Sequence, residues 1–305
     1  MNPFLKAVGG EAIAGAFRRT VSGDVTGIPP WALQMGEGED SGFFGVDSDV
    51  WKVHGSLATL VGGVRALLMQ AAYPAALAGV SQHSSYDKDP LGRLERTTRW
   101  LTITSFAATE VIEREAQRVR MMHSKVHGTY RDESGTSHQY SAEQEQHLLW
   151  VHCSFTDSFL TAYRILDKSP ERSVPNYVCE WAKSAEPLGL LTAPQSEQEL
   201  TLVLENFMKK EIGSIDLTSE VVRFIVHPPF SKIAMPFYRT ICNAAISTLD
   251  PRIIKVLGLK KRSRRWIFAA IPMLRVLQLL LGTESPSQSI ARERIRRISS
   301  AHDVE

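Results

Sequence analysis

From Ser48 to Leu281 the apolar residues recur at the three-to-four-residue spacing of buried helix faces, and alternating polar–apolar runs are nearly absent. That pattern predicts an all-α fold, because a chain without period-two segments cannot build a half-buried sheet. Ser48-Asp49-Val50-Trp51 reads as an N-cap, with Trp51, His54, Leu57 and Leu60 on the helix that follows. Pro74 breaks, kinks or restarts the helical run Val64 to Val80. Asp89-Pro90 starts two long helices over Leu91 to Gly128. A capping-type start at Ser141-Ala142-Glu143-Gln144 opens a helix through Tyr163. Further helices are expected at about 171–189, 196–213, 217–226, 231–248 and 264–282. Residues 129–142 read as a polar loop. The Gly-, Pro- and acid-rich segment 1–45 reads as an extended arm. The expected organisation is therefore an arm (1–45), a helical domain (46–283) and a polar, mobile tail (284–305).

The chain is 43% hydrophobic and 22% charged, ordinary for a globular protein. A net charge of +2 gives no reason to expect a nucleic-acid partner. Cys153, Cys179 and Cys242 are far apart and form no CxxC pair. This argues for reduced thiols in a cytoplasmic setting and against a disulfide framework. The N-terminus has no charged-then-apolar leader, so secretion is not expected. Trp266 to Gly282 is apolar but interrupted by Pro272, Arg275 and Gln278, and short for a membrane span. It reads first as a buried core helix. The alternative is a peripheral membrane contact through 260–282, helped by the basic run Lys260-Lys261-Arg262-Ser263-Arg264-Arg265.

Chemistry-bearing residues concentrate in Arg118-Val119-Arg120-Met121-Met122-His123-Ser124-Lys125-Val126-His127-Gly128. Helical spacing puts Arg120, His123 and His127 on one face. A cationic face with imidazoles suits a haem ligand with cations for the propionates, a metal site or an anion site. A lone histidine on an apolar face is more often a hydrogen-bonded core residue. Upstream, Arg93, Arg96 and Thr97 share a face that can hold carboxylates or polarise a bound oxygen species. Taken alone, a solvated face paired with Glu95 or Asp89 is the simpler account. His152 is a core residue or a site wall, and His83 caps a helix end. His54, His138, His147, His227 and His302 show no convergent partners in the sequence. GxGxxG, GxxxxGK[ST], GxSxG and HExxH are all absent, which sets aside the standard nucleotide, hydrolase and zincin signatures.

Several blocks occur in a characteristic order: Trp51 to His54, Gly62 to Gln70, Pro74, Ala78 to Ser84, Asp89 to Thr97, Arg118 to Gly128, Tyr140-Ser141 and Leu148 to Ser158. Together, over roughly 40–280, they resemble the bacterial DUF2236 family, which is similar to the catalytic domain of rubber oxygenase (latex clearing protein) and the MpaB-type oxygenases. The resemblance implies a globin-like all-α fold carrying haem b. It implies that His123, in Arg120-x-x-His123, is the axial ligand to the haem iron. Arg120 would then hold a propionate or orient the imidazole, and Arg93, Arg96 and Thr97 would line the distal side. Arg96 stands where these relatives carry lysine, and Tyr73 stands before Pro74 where the family usually has histidine. A phenol there can donate a hydrogen bond or, as phenolate, ligate ferric iron. The implied activity is a dioxygen-using oxygenase acting on an apolar or aromatic small molecule. Two other readings stay open. One is a non-haem metal enzyme using His123, His127 and His152 with Glu110 or Glu113. The other is a non-enzymatic helical protein binding lipid or another apolar ligand.

Overall fold

The Ser48 hydroxyl accepts a hydrogen bond from the Trp51 amide (3.2 Å) and opens helix α1, Asp49–Gly55. The computed structural model describes residues 14–15, 17–19, 24–83, 90–167, 173–232 and 234–302, with the side chains of 90–94 and 302 excepted. Thr59–Ala71 (α2) and Pro74–His83 (α3) follow, meeting at 102°. Pro74 thus restarts a helix in a new direction, as its missing N–H and fixed φ favour at a first turn. Pro90–Phe106 (α4) and Thr109–His123 (α5) form the expected long pair, but the second helix stops at His123, so His127 is not on its face with Arg120 and His123 and instead opens a strand.

The expected loop at 129–142 is instead an antiparallel hairpin, His127–Arg131 (β1) with Ser137–Ser141 (β2), in the register His127↔Ser141 to Arg131↔Ser137. Its tip is built by Asp132, whose carboxylate accepts from the amides of Ser134 (2.9 Å) and Thr136 (3.0 Å) and sits 2.7 Å from His138 Nε2. The strands are mostly polar because only one face packs, on α3. Gln82 Nε2 donates to the Thr129 carbonyl (3.0 Å), and the Tyr140 hydroxyl donates to Gln82 Oε1 (2.8 Å).

The remaining helices are Glu145–Leu166 (α6), Tyr177–Ala182 (α7), Glu197–Lys210 (α8), Thr218–Val226 (α9), Met235–Ser247 (α10), Pro251–Val256 (α11), Arg265–Leu281 (α12) and Pro286–His302 (α13). The fold is all-α with one small hairpin, as the periodicity required.

At the centre α2 and α6 run antiparallel in close contact. A Cβ at Gly62 would lie 2.7 Å from the Phe159 ring, so only glycine permits that approach. Further along, buried Arg65 donates to Asp157 Oδ2 (2.6 Å) and to Ser158 Oγ (2.8 Å). Helices α8, α9 and α10 pack around this pair, α12 lies against α10 and α6, and α1, α4 and α7 close the other side.

Residues 284–302 do not form a mobile tail. Helix α13 packs against a 3-10 helix, Pro30–Gly36, inside what the sequence suggested was an extended arm. Trp31, Met35 and Ala291 are buried there, and Arg294 is 1% exposed.

Candidate functional site

Helices α4 and α5 form an antiparallel hairpin that carries most of the residues singled out in the sequence. Glu115, 2% exposed, pins its middle: it accepts from Arg99 on α4 (2.8 Å) and from Arg118 on α5 (2.5 Å). At ~1.5 Å rise per residue, His123 lies about 12 Å beyond Glu115 towards the open end of the hairpin. By the same rise, Arg93 lies about 9 Å and Arg96 about 4.5 Å beyond Arg99 in that direction. Along the helix axes, Arg93 and Arg96 thus lie on the same side of the pin as His123, with Arg93 closest to its level.

The side chain of Arg93 is outside the described residues. Arg96 is exposed and Thr97 half-buried. His123 is half-buried, and burial lowers its pKa, with nearby Glu143 opposing. The imidazole is thus held towards the neutral form a metal requires, and it takes no hydrogen bond among the described residues. Arg120 is exposed one turn earlier, and its Nη1 donates to the Pro187 carbonyl (2.9 Å). That contact ties α5 to the turn after α7 and places the guanidinium at the rim.

His123, His127 and His152 do not form one ligand set. Among the described residues no three His, Cys, Asp or Glu side chains gather as a metal group, and Glu110 and Glu113 join none. His127 is exposed, and its backbone carbonyl lies 3.0 Å from His83 Nε2. His83 therefore anchors the β-hairpin to α3. His152, on α6, is driven neutral by burial, with a pKa lowered to about 4, and its Nε2 is buried without a partner among the described residues. Thr104 Oγ1 on α4 is orphaned in the same way. Buried polar atoms left unpaired in a folded protein need a reason, and a bound group is a common one.

Tyr73 is not placed to be an anionic ligand. Its hydroxyl lies 2.8 Å from His147 Nδ1, and its ring packs on Trp150 and Phe207. Burial pushes the phenol pKa upward, with Glu211 adding to the effect, so it stays protonated and donates to His147. His147 Nε2 and Trp150 Nε1 are buried and unpaired among the described residues.

His54 is the residue whose partners the sequence hid. The Ser105 hydroxyl donates to the Leu101 carbonyl (2.6 Å), so His54 Nδ1–H donates to Ser105 Oγ (2.7 Å). Nε2 is then left to accept from the Tyr177 hydroxyl (2.9 Å). Phe159, Tyr177 and Trp181 surround the ring, and burial lowers its pKa to about 3. His54, like His138 and His147, does have convergent partners. Those of His54 are 51 and 123 residues away in sequence, so no local spacing could reveal them.

The donor chemistry suits a haem. An imidazole held towards neutrality, with no hydrogen bond among the described residues, ends α5, an arginine marks the rim, and a hydroxyl and a guanidinium lie on the neighbouring helix. No curated protein and no solved structure matches the chain. Residues 51–280, three quarters of its length, match the family described as ER-bound oxygenase mpaB/B'/Rubber oxygenase, catalytic domain. The ordered blocks from Trp51 to Ser158, the all-α architecture and the match over residues 51–280 place the chain: it belongs to the family of ER-bound mpaB/B' oxygenase and rubber oxygenase catalytic domains.

Proposed function

We propose that this protein is a haem-b oxygenase that uses dioxygen on an apolar or aromatic small molecule. The observation that carries the reading is His123, a half-buried imidazole held towards neutrality and without a hydrogen bond among the described residues, in the Arg120-x-x-His123 motif at the open end of the α4–α5 hairpin. Haem b, when bound, supplies the one-electron and dioxygen chemistry that side chains cannot.

His123 would hold the iron through one ring nitrogen. Arg120 would stay at the rim, where a propionate carboxylate can pair with its remaining N–H groups. Thr97 and Arg96 would supply a hydroxyl and a cation to a polar oxygen on the opposite side. Arginine in place of lysine widens that donor from a point charge to a planar fork, so it can bridge two acceptors at once. Leu, Val, Ala and Phe dominate the helices, and a site walled by such side chains would favour an apolar substrate.

Titration of the purified chain with haemin tests this. Saturation at one haem per chain with a Soret band is expected. A chain that remains spectrally silent after addition of haemin overturns the reading.

A further inference from the structure

Helix α12 carries apolar residues on both its buried and its exposed face. Ile267, Ala270, Leu274, Leu277 and Leu280 face inward and are buried. The opposite face carries Phe268 (73% exposed), Pro272, Val276 (57%) and Leu279 (67%). At ~100° per residue these four fall within one stripe of about 80°, some 16 Å long. Three of the ten large apolar side chains exposed among the described residues lie on this one helix face.

The stripe adjoins a cationic loop. Lys260, Lys261, Arg262, Arg264 and Arg265 precede or open α12, and all five lie in the continuously exposed run 260–265. None of the five makes an ion pair among the described residues. Arg275 sits at the edge of the stripe, on a stem long enough to bring its charge back to a polar layer. No described helix is by itself long and apolar enough to cross a membrane.

We propose that the outer face of α12 and the loop before it dock on an anionic phospholipid surface, with the helix lying in the plane of the membrane. Charge complementarity selects this occupant. Five uncompensated cations at one end of an apolar stripe match phosphate headgroups beside acyl chains. A self-complementary pairing of two such stripes would be held by the apolar residues alone and would leave the cationic loops without an anionic partner. The contact leaves the open end of the α4–α5 hairpin on other elements, so it stands or falls apart from the haem assignment.

Flotation of the intact chain with vesicles tests it. Vesicles of phosphatidylcholine with 30% phosphatidylglycerol should carry the protein, and vesicles of phosphatidylcholine alone should carry at least tenfold less. Phe268→Ser with Leu279→Ser should cut binding at least tenfold. Lys261→Gln with Arg262→Gln should weaken it and flatten its dependence on salt. All four positions are exposed, and a circular-dichroism melt checks that each variant is folded. Absence of wild-type binding to the anionic vesicles overturns the proposal. So does equal binding by both variants, or a wild-type dimer that the Phe268/Leu279 variant dissociates without any lipid binding.

Discussion

The Arg294 guanidinium, carried by the last helix, donates to the Phe106 carbonyl at the end of α4 (3.0 Å), 188 residues earlier in the chain. The same group donates to the Met35 carbonyl (2.6 Å). One buried cation thus satisfies the end of a 3-10 helix and the end of the helix that bears Arg93, Arg96 and Thr97. Both flanking segments lie outside the residues that match the family, yet they brace its candidate site. Trp31 Nε1 also donates to Glu95 on α4 (3.2 Å).

Replacing Arg294 with Met keeps much of the stem but strands those carbonyls. We expect a loss of ~2–4 kcal/mol in urea unfolding, since an unpaired buried polar group costs ~1–3 kcal/mol. Faster amide exchange should appear in α4, beginning at its C-terminal turns. Unchanged stability would show that the clasp contributes nothing.

Gly42 has φ +81, and a Cβ there would lie 1.9 Å from the Ala107 carbonyl oxygen, at the tight connection between α4 and α5. Left-handed backbone costs a non-glycine residue ~1–2 kcal/mol, and here the clash is with backbone that cannot yield. Gly42→Ala should therefore destabilise by more than ~2 kcal/mol. Gly45→Ala, where a Cβ meets nothing within 4 Å, should change the thermal midpoint little. Similar effects in the two variants would refute the close approach.

His54 and His152 have folded-state pKa values of about 3 and about 4, depressed by burial below the ordinary 6.5. Above pH 6.5 both states are neutral and neither residue affects stability. As pH falls below 6.5, the unfolded chain takes up protons that the folded chain refuses, so stability drops towards pH 4. Each group contributes up to ~1.4 kcal/mol per pH unit in that window. Urea unfolding at pH 7.5 and 4.5 should show the loss, and His54→Gln should reduce its slope. Identical pH slopes in wild type and variant would mean that His54 titrates normally.

Much of the fold was legible because helix periodicity survives in a single sequence: the Ser48 cap, the restart at Pro74 and the α4–α5 pair all follow from local rules. The β-hairpin was not, since its strands pack on one side only and carry polar residues on the other. Helix α13 was missed because its most buried long side chain is an arginine, Arg294, so its inward face looks like solvent-facing charge. Of the candidate site, the Arg120–His123 face and the Arg93–Thr97 face could be named from spacing and resemblance. That both lie on the same side of the Arg99–Glu115–Arg118 pin, and that His54 and Tyr73 have partners, needed the tertiary fold.

The most direct test is to remove the imidazole of His123 and then give it back. Wild-type chain reconstituted with haemin should show a Soret band and the ligand-field spectrum of a histidine-ligated iron. His123→Gly should lose that signature, and millimolar free imidazole should restore it, because the vacated space sits at the half-buried end of α5. His152→Gly and His147→Gly should keep the wild-type spectrum. A His123→Gly protein with the wild-type spectrum, or loss of the signature in His152→Gly instead, would contradict the assignment of His123 as the axial ligand.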